Sequence, residues 1–232
     1  LEEQQQKPKK KSRRKKLAIW LLVDIAVAAI VLALLLYRPA QYLPMVPAIT
    51  DPNGPRVHPY LHRELGSELY NGAQEQQPFE MVVLDKNLNE AIGQMGWSQA
   101  AGGITLSAPA VLFKPGRIVL MGTANVEGAE FVVTIHVGPR LDEAGDLNLI
   151  VTKVKVGAMN VTPLAKALAR KMYREQLDMG LVDTRDLGAK IVASLLIEEP
   201  FKPVLRLEDK WVRLQRFDIT QGKLIARFAP AE

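Results

Sequence analysis

Apolar and polar positions divide the chain into three stretches of different period. Leu17 to Tyr37 is apolar on every side and is interrupted only by Asp24. A helix over this stretch is about 31 Å long, close to the hydrocarbon thickness of a bilayer. Trp20 and Tyr37 fall near its ends, where amphipathic aromatic rings favour the interface. Residues 38–59 show no period and contain Pro39, Pro44, Pro47, Pro52, Pro55 and Pro59. Asp51-Pro-Asn-Gly-Pro55 cannot continue a helix, so a semi-extended spacer is expected. Leu61 to Tyr70 predicts a short helix ended by Asn71-Gly72.

From Phe79 onward the periods of strand and helix alternate. Phe79 to Leu84 predicts a strand, and Asp85 is a candidate N-cap for a helix striped by Leu88, Ala91, Ile92 and Met95. Four strands follow, over 104–113, 117–126, 129–137 and 146–156. Pro115-Gly116 suits a type II turn between the first two. Phe131, Val133, Ile135 and Val137 alternate with polar or smaller neighbours, as in a half-buried antiparallel strand. The apolar phase of the fourth strand shifts between Val151 and Val154, which predicts a bulge near Thr152. Connections this short make a meander. Thr162-Pro163 begins a helix with a hydroxyl cap and Pro at N1. Leu164, Leu168 and Met172 line one side of it, with Ala165 and Ala169 beside them, and Lys166, Arg170, Lys171 and Arg174 fall on the other arc. A second helix over 184–198 carries Leu187, Ile191, Val192, Leu195 and Leu196 on a wide apolar face. Strands over 204–207, 211–219 and 223–228 close the chain.

The predicted fold class is α+β: one N-terminal transmembrane helix, then a curved antiparallel β-meander packed on helices, with a C-terminal β-hairpin. The predicted divisions are a basic cytoplasmic tail (1–16), the transmembrane helix (17–37), a Pro-rich extracytoplasmic linker with a short helix (38–78), and an extracytoplasmic α+β domain (79–232).

Charge sets the orientation. Eight of the 30 basic side chains precede Leu17, whereas only Arg38 follows the helix closely. The positive-inside rule then places the N-terminus in the cytoplasm and the domain outside. A cleaved signal peptide is the rival reading; Arg38-Pro39-Ala40 is a poor cleavage site, which favours an uncleaved anchor. Asp24 costs roughly 2.5–3.5 kcal/mol at mid-bilayer. The 13 Leu, Ile and Val residues of the stretch outweigh it at about 0.5 kcal/mol each. Asp24 is a candidate contact with another membrane helix, or else an acid close enough to the cytoplasmic interface to stay wet.

Beyond Tyr37 the chain has 22 basic and 22 acidic residues. Such a domain lacks the basic excess expected of a nucleic-acid binder. The chain has no Cys, which excludes disulfides, thiol catalysis and Cys-ligated metal centres. It has no Walker loop, dinucleotide fingerprint, nucleophile elbow or H-E-x-x-H. His58 and His62 are spaced i, i+4, but Pro59 places His58 ahead of the helix, and they read as surface histidines. His136 reads as a strand histidine, and Asp142, Glu143 and Asp146 as a solvated turn. No catalytic residue, metal site or cofactor is therefore assigned.

Several short segments exceed fold class in what they suggest. Leu84-Asp85-Lys86-Asn87-Leu88-Asn89-Glu90, Arg117-Ile-Val-Leu-Met-Gly122, Gly145-Asp-Leu-Asn-Leu-Ile-Val151, and Val156-Gly157 leading to Val161-Thr-Pro163 are the segments concerned. Over about residues 79–177 they resemble small membrane-anchored bacterial envelope proteins with a TULIP-like lipid-binding domain. Ala158-Met159-Asn160 and the C-terminal part depart from that pattern. The resemblance implies a periplasmic or wall-facing domain on the bacterial inner (cytoplasmic) membrane, with membrane lipid as its partner.

Two functions fit. One is a tethered binding module for lipid or another apolar ligand, with an apolar groove lined by Phe131, Val133, Ile135, Leu147, Leu149 and Leu168. The alternation of these residues fits a dry core equally well. The other is a non-enzymatic scaffold that contacts a membrane helix or envelope protein. The Lys166, Arg170, Lys171 and Arg174 arc is a candidate membrane-surface contact, or else the solvated face of an ordinary surface helix.

Overall fold

The computed structural model describes residues 11–44, 58–94, 97–101, 104–179 and 186–231. The fold is α+β, with an apolar N-terminal helix, two antiparallel sheets and a C-terminal strand hairpin. Helix α1 is Lys11–Leu35. A π-helical turn, Tyr60–Leu65, runs directly into α2, Gly66–Gln74. β1 (Phe79–Leu84) and α3 (Asp85–Gln94) follow.

The meander comprises β2 (Ser98–Ala101), β3 (Ile104–Lys114), β4 (Arg117–Val126), β5 (Ala129–Leu141), β6 (Leu147–Val156) and β7 (Met159–Asn160). These strands pair strictly in chain order. Helices α4 (Thr162–Asp178) and α5 (Leu187–Ile197) come next, then β8 (Val204–Leu207), β9 (Lys210–Thr220) and β10 (Lys223–Ala231). The second sheet has the order β1-β10-β9-β8, so the first strand of the domain pairs with the last.

The predicted bulge is present. His136 pairs with Lys153 and Val137 with Val151, leaving Thr152 as the extra residue. The shift returns Val151 and Val154 to one face, where both are buried. Short edge strands β2 and β7 were not anticipated; with only a few residues each, their alternation is too brief to read.

Polar side chains complete the open edges of the larger sheet. Beyond β2, β3 has no strand partner on that side among the described residues. Asn89 of α3 both donates to Val111 O and accepts from Val111 N–H, each at 2.7 Å. One helical turn earlier, Asp85 accepts from Phe113 N–H at 3.1 Å. Asp85 thus serves the sheet instead of capping α3. At the other edge, Thr162 Oγ1 accepts from Val154 N–H and Ser194 Oγ from Leu149 N–H, both at 2.8 Å. Thr162 is therefore the first residue of α4, with Val161 at the cap position. The cap of α5 is Asp186, which accepts from Ala189 N–H. The part of the expected second helix before Asp186 lies outside the described residues.

α2 continues past Asn71-Gly72 to Gln74, and Gly72 lies against the Phe79 ring, where a Cβ would collide. Phe79 in turn stacks on Phe228. The two sheets interlock at their turns: Gly116 N–H bonds Ile219 O, and Gly222 N–H bonds Phe113 O. Val83, Phe113 and Ile219 form the core at this junction.

Part of the expected spacer packs on the sheet instead. Tyr42 is buried against Ala110, Val119, Met121 and Val132. Its hydroxyl donates to Ala108 O at 2.7 Å and lies 2.8 Å from Thr123 Oγ1. The last carbonyls of α1 meet the β6–β7 turn, where Ala158 N–H donates to Leu34 O at 2.8 Å. Residues 45–57, which hold three of the spacer's six prolines, lie outside the described residues.

Candidate functional site

The six-stranded sheet has two unlike faces. One carries Val119, Met121, Val132, Thr134 and His136 and is closed by Tyr42 over part of its area. The other carries Leu120, Ile135, Val151 and Val154, and α4 and α5 lie over it. Between sheet and helices is a cleft of about 210 Å³. Its floor is Leu120, Ile135, Val151 and Val154; its walls are Ala165 and Ala169 of α4 and Leu195 and Leu196 of α5. Among the described residues Lys166 is the one polar residue lining it, and its ammonium pairs with Glu198. Glu198 ends α5 in the left-handed conformation, which brings its chain back toward α4.

The register sorts the six residues expected to line a groove. Phe131, Val133 and Ile135 share the cleft's face of β5, and Leu147 and Leu149 lie on the same face of β6. Ile135 lines the cleft itself. Leu149 packs beside it with Val137 and Leu195. Leu147 lies at the far end, where it bridges to Phe201. Phe131 and Val133 continue the face away from the helices.

Leu168 is a correction. It is 54% exposed, and Leu164 and Met172 of the same stripe are exposed with it. The inner face of α4 is Ala165, Ala169 and Tyr173. Both triplets have i, i+4 spacing and lie about 100° apart on the helix. The sheet selects the small residues because they let the helix axis approach closely. Helical period alone does not distinguish adjacent stripes. The remaining cleft residues were missed because they come together from three strands and two helices.

The basic arc is divided. Lys166 belongs to the cleft rim and is paired, so it is not a free surface cation. Arg170, Lys171 and Arg174 are exposed, and Lys171 is 3.8 Å from Glu175. α4 begins beside Val154, while Tyr173 shares a small pocket with Phe201, the partner of Leu147. α4 therefore runs antiparallel to β6 and leads away from α1. Arg170, Lys171 and Arg174 are carried toward the far end and do not form a surface beside α1. Asp24 is exposed on α1, about 16 Å along the helix from Leu35.

Among the described residues no group of three His, Asp or Glu side chains is arranged to hold a metal ion. His58 Nδ1 accepts from Tyr60 N–H. Asp142 accepts from Asp146 N–H across its turn. His136 is held below its ordinary value of 6.5, first by burial and then by Arg117, Lys155 and Lys153. The folded state therefore resists protonation that the unfolded chain accepts. Stability present above pH 6.5 is lost as pH falls toward the depressed folded value. His136→Gln should flatten that part of the stability–pH curve, measured by urea unfolding; an unchanged slope would show that His136 does not contribute.

Comparison with protein-family models and with curated proteins returned no match.

Proposed function

We propose that the chain is a membrane-anchored extracytoplasmic binding module for an apolar ligand, a lipid chain above all, in a bacterial envelope. The observation that carries this reading is the cleft between the sheet and α4/α5. Among the described residues it is walled by alkyl groups, with one charged group, at its rim. Apolar chains fill such a site without polar residues at fixed positions. Its volume of about 210 Å³ lies below the roughly 300–1,000 Å³ of sites that enclose drug-sized ligands, so it takes a segment of an alkyl chain and not a whole ligand. The order strand, helix, meander, helix from β1 to α4 matches what the TULIP-like resemblance implies.

The end of α1 supports retention of the helix as an anchor. Its Leu34 O is capped by Ala158 N–H of the β6–β7 turn, and Tyr42, just beyond it, is built into the sheet's core. Cleavage after the helix would remove that cap. The excess of positive charge before Leu17 supports an extracytoplasmic domain.

Ala169→Trp fills the cleft from the helix side. Native mass spectrometry of the full chain, released gently from membranes, should show a lipid adduct on the parent and none on the variant. Ala169 faces the sheet where α4 packs closely, so the indole should also cost about 1–3 kcal/mol, and a cooperative melt shows that the variant is folded. A parent without adduct in several lipid extracts would refute the reading. A second reading, a scaffold subunit, is favoured by the exposed Leu164, Leu168 and Met172 stripe on α4. It predicts a copurifying protein that is lost on Leu168→Glu.

A further inference from the structure

We propose that the β2–β3 end of the larger sheet rests on the outer leaflet of the membrane that α1 spans, with Ile104, Leu106 and Val126 as its lipid contacts. This rests on the reading of α1 as a spanning helix. The chain carries no charged residue between Glu90 and Lys114, a stretch that includes the edge strand β2. Soluble domains usually guard an exposed edge strand with charge, Lys especially. Here the side chains beside that edge are greasy and open: Ile104 is 40% exposed, Leu106 49% and Val126 37%. Ile104 pairs with Val126 and Leu106 with Ala124, so the three share one face. It is the face that bears the cleft, but α4 and α5 cover only its other end.

The position of this patch follows from the hydrogen bonds of the sheet. Ala158 N–H meets Leu34 O at the end of α1, and Gly157 N–H bonds Val132 O. Val132 pairs with Thr123, and Thr123 with Ser107. Two strand spacings separate Val132 from Ser107, about 10 Å. The antiparallel ladder points the start of β3 and the end of β4 the same way as the end of β6, which is the end presented to α1. Ile104 and Val126 lie three residues past the Ser107–Thr123 row, about 10 Å farther in that direction. Exposed Leu36, Tyr37 and Leu43 add apolar surface beside the same end. Glu127 and Glu130 are exposed there too, which holds the contact at headgroup level and keeps it out of the hydrocarbon. A second copy paired through β2 is the other possible occupant of such an edge, but only the membrane is placed here by the chain itself.

The absence of Cys allows a direct test in the full chain. Leu106→Cys and Val126→Cys, each labelled with an environment-sensitive fluorophore, are placed in nanodiscs of phosphatidylcholine and phosphatidylglycerol. Some of the phosphatidylcholine carries a spin-label quencher near the headgroup and, in a parallel sample, on the acyl chain, where it reaches a label at 30, about 10 Å inside the Tyr37 end of the helix. Ile30→Cys reports on α1, and Gln221→Cys on the far end of the domain. Quenching at 106 and 126 should exceed that at 221 by about twofold or more, as for groups seated in the interface. Quenching at 30 with none above the 221 level at 106 and 126 overturns the proposal and leaves the anchor standing. A blue-shifted but unquenched label at 106 shows a second copy on the edge and overturns it as well. No quenching at 30 overturns the spanning helix, and the proposal with it.

Discussion

Gly157→Ala should lower the melting temperature of the full chain by about 6–12 °C, from a loss of roughly 3 kcal/mol in a chain of this size. Two costs add. Gly157 sits at φ +58°, and a Cβ there carries about 1–2 kcal/mol of backbone strain. That Cβ would also collide with the carbonyl oxygens of Leu34 and Leu35, backbone atoms at the end of a helix that cannot rotate aside. Gly128→Ala is the control: φ is +89°, and nothing lies within 4 Å of its Cβ position. It shares the strain without the collision, so its shift should be less than half as large. The Ala158 amide should also lose hydrogen-exchange protection in Gly157→Ala, because its acceptor Leu34 O is pushed away. Equal shifts at the two glycines would show that α1 and the sheet do not bear on one another.

Asn89→Ala should cost about 2–4 kcal/mol, read as a lower urea midpoint at unchanged slope. The side chain is buried and satisfies both the N–H and the C=O of Val111 on the open edge of β3. Truncation leaves two strand groups without partners, each costing about 1–3 kcal/mol where water cannot reach. Asn89→Asp keeps the acceptor, loses the donor and buries a charge, so it should be at least as damaging. A loss below about 1 kcal/mol for Asn89→Ala would mean that water replaces the amide, and that α3 does not complete the sheet.

These two residues show where reading the chain runs out. Helix α1, the longer strands, the Thr152 bulge and the turn at Gly116 were legible in order along the chain. Each is a local matter: a run of apolar residues, a period of two, a phase shift, a Pro-Gly pair. Asp85, Asn89 and Thr162 were placed on or beside the right helices, yet their hydrogen-bond partners are strand groups far away in sequence. Nothing local marks a polar side chain as the partner of a distant strand edge.

The candidate cleft divides the same way. Alternation along β5 and β6 put Phe131, Val133, Ile135, Leu147 and Leu149 on one face, because side chains in a strand point to alternate sides. Which stripe of α4 meets that face was decided only by packing. Leu164, Leu168 and Met172 have the greater apolar area, but Ala165 and Ala169 allow the close approach that leaves the cleft beneath them. The chain's own pattern thus determines the apolar helix at one end and the faces of each strand. Only contact between elements distant in the chain decides which face is covered, which stays open, and where α1 meets the domain.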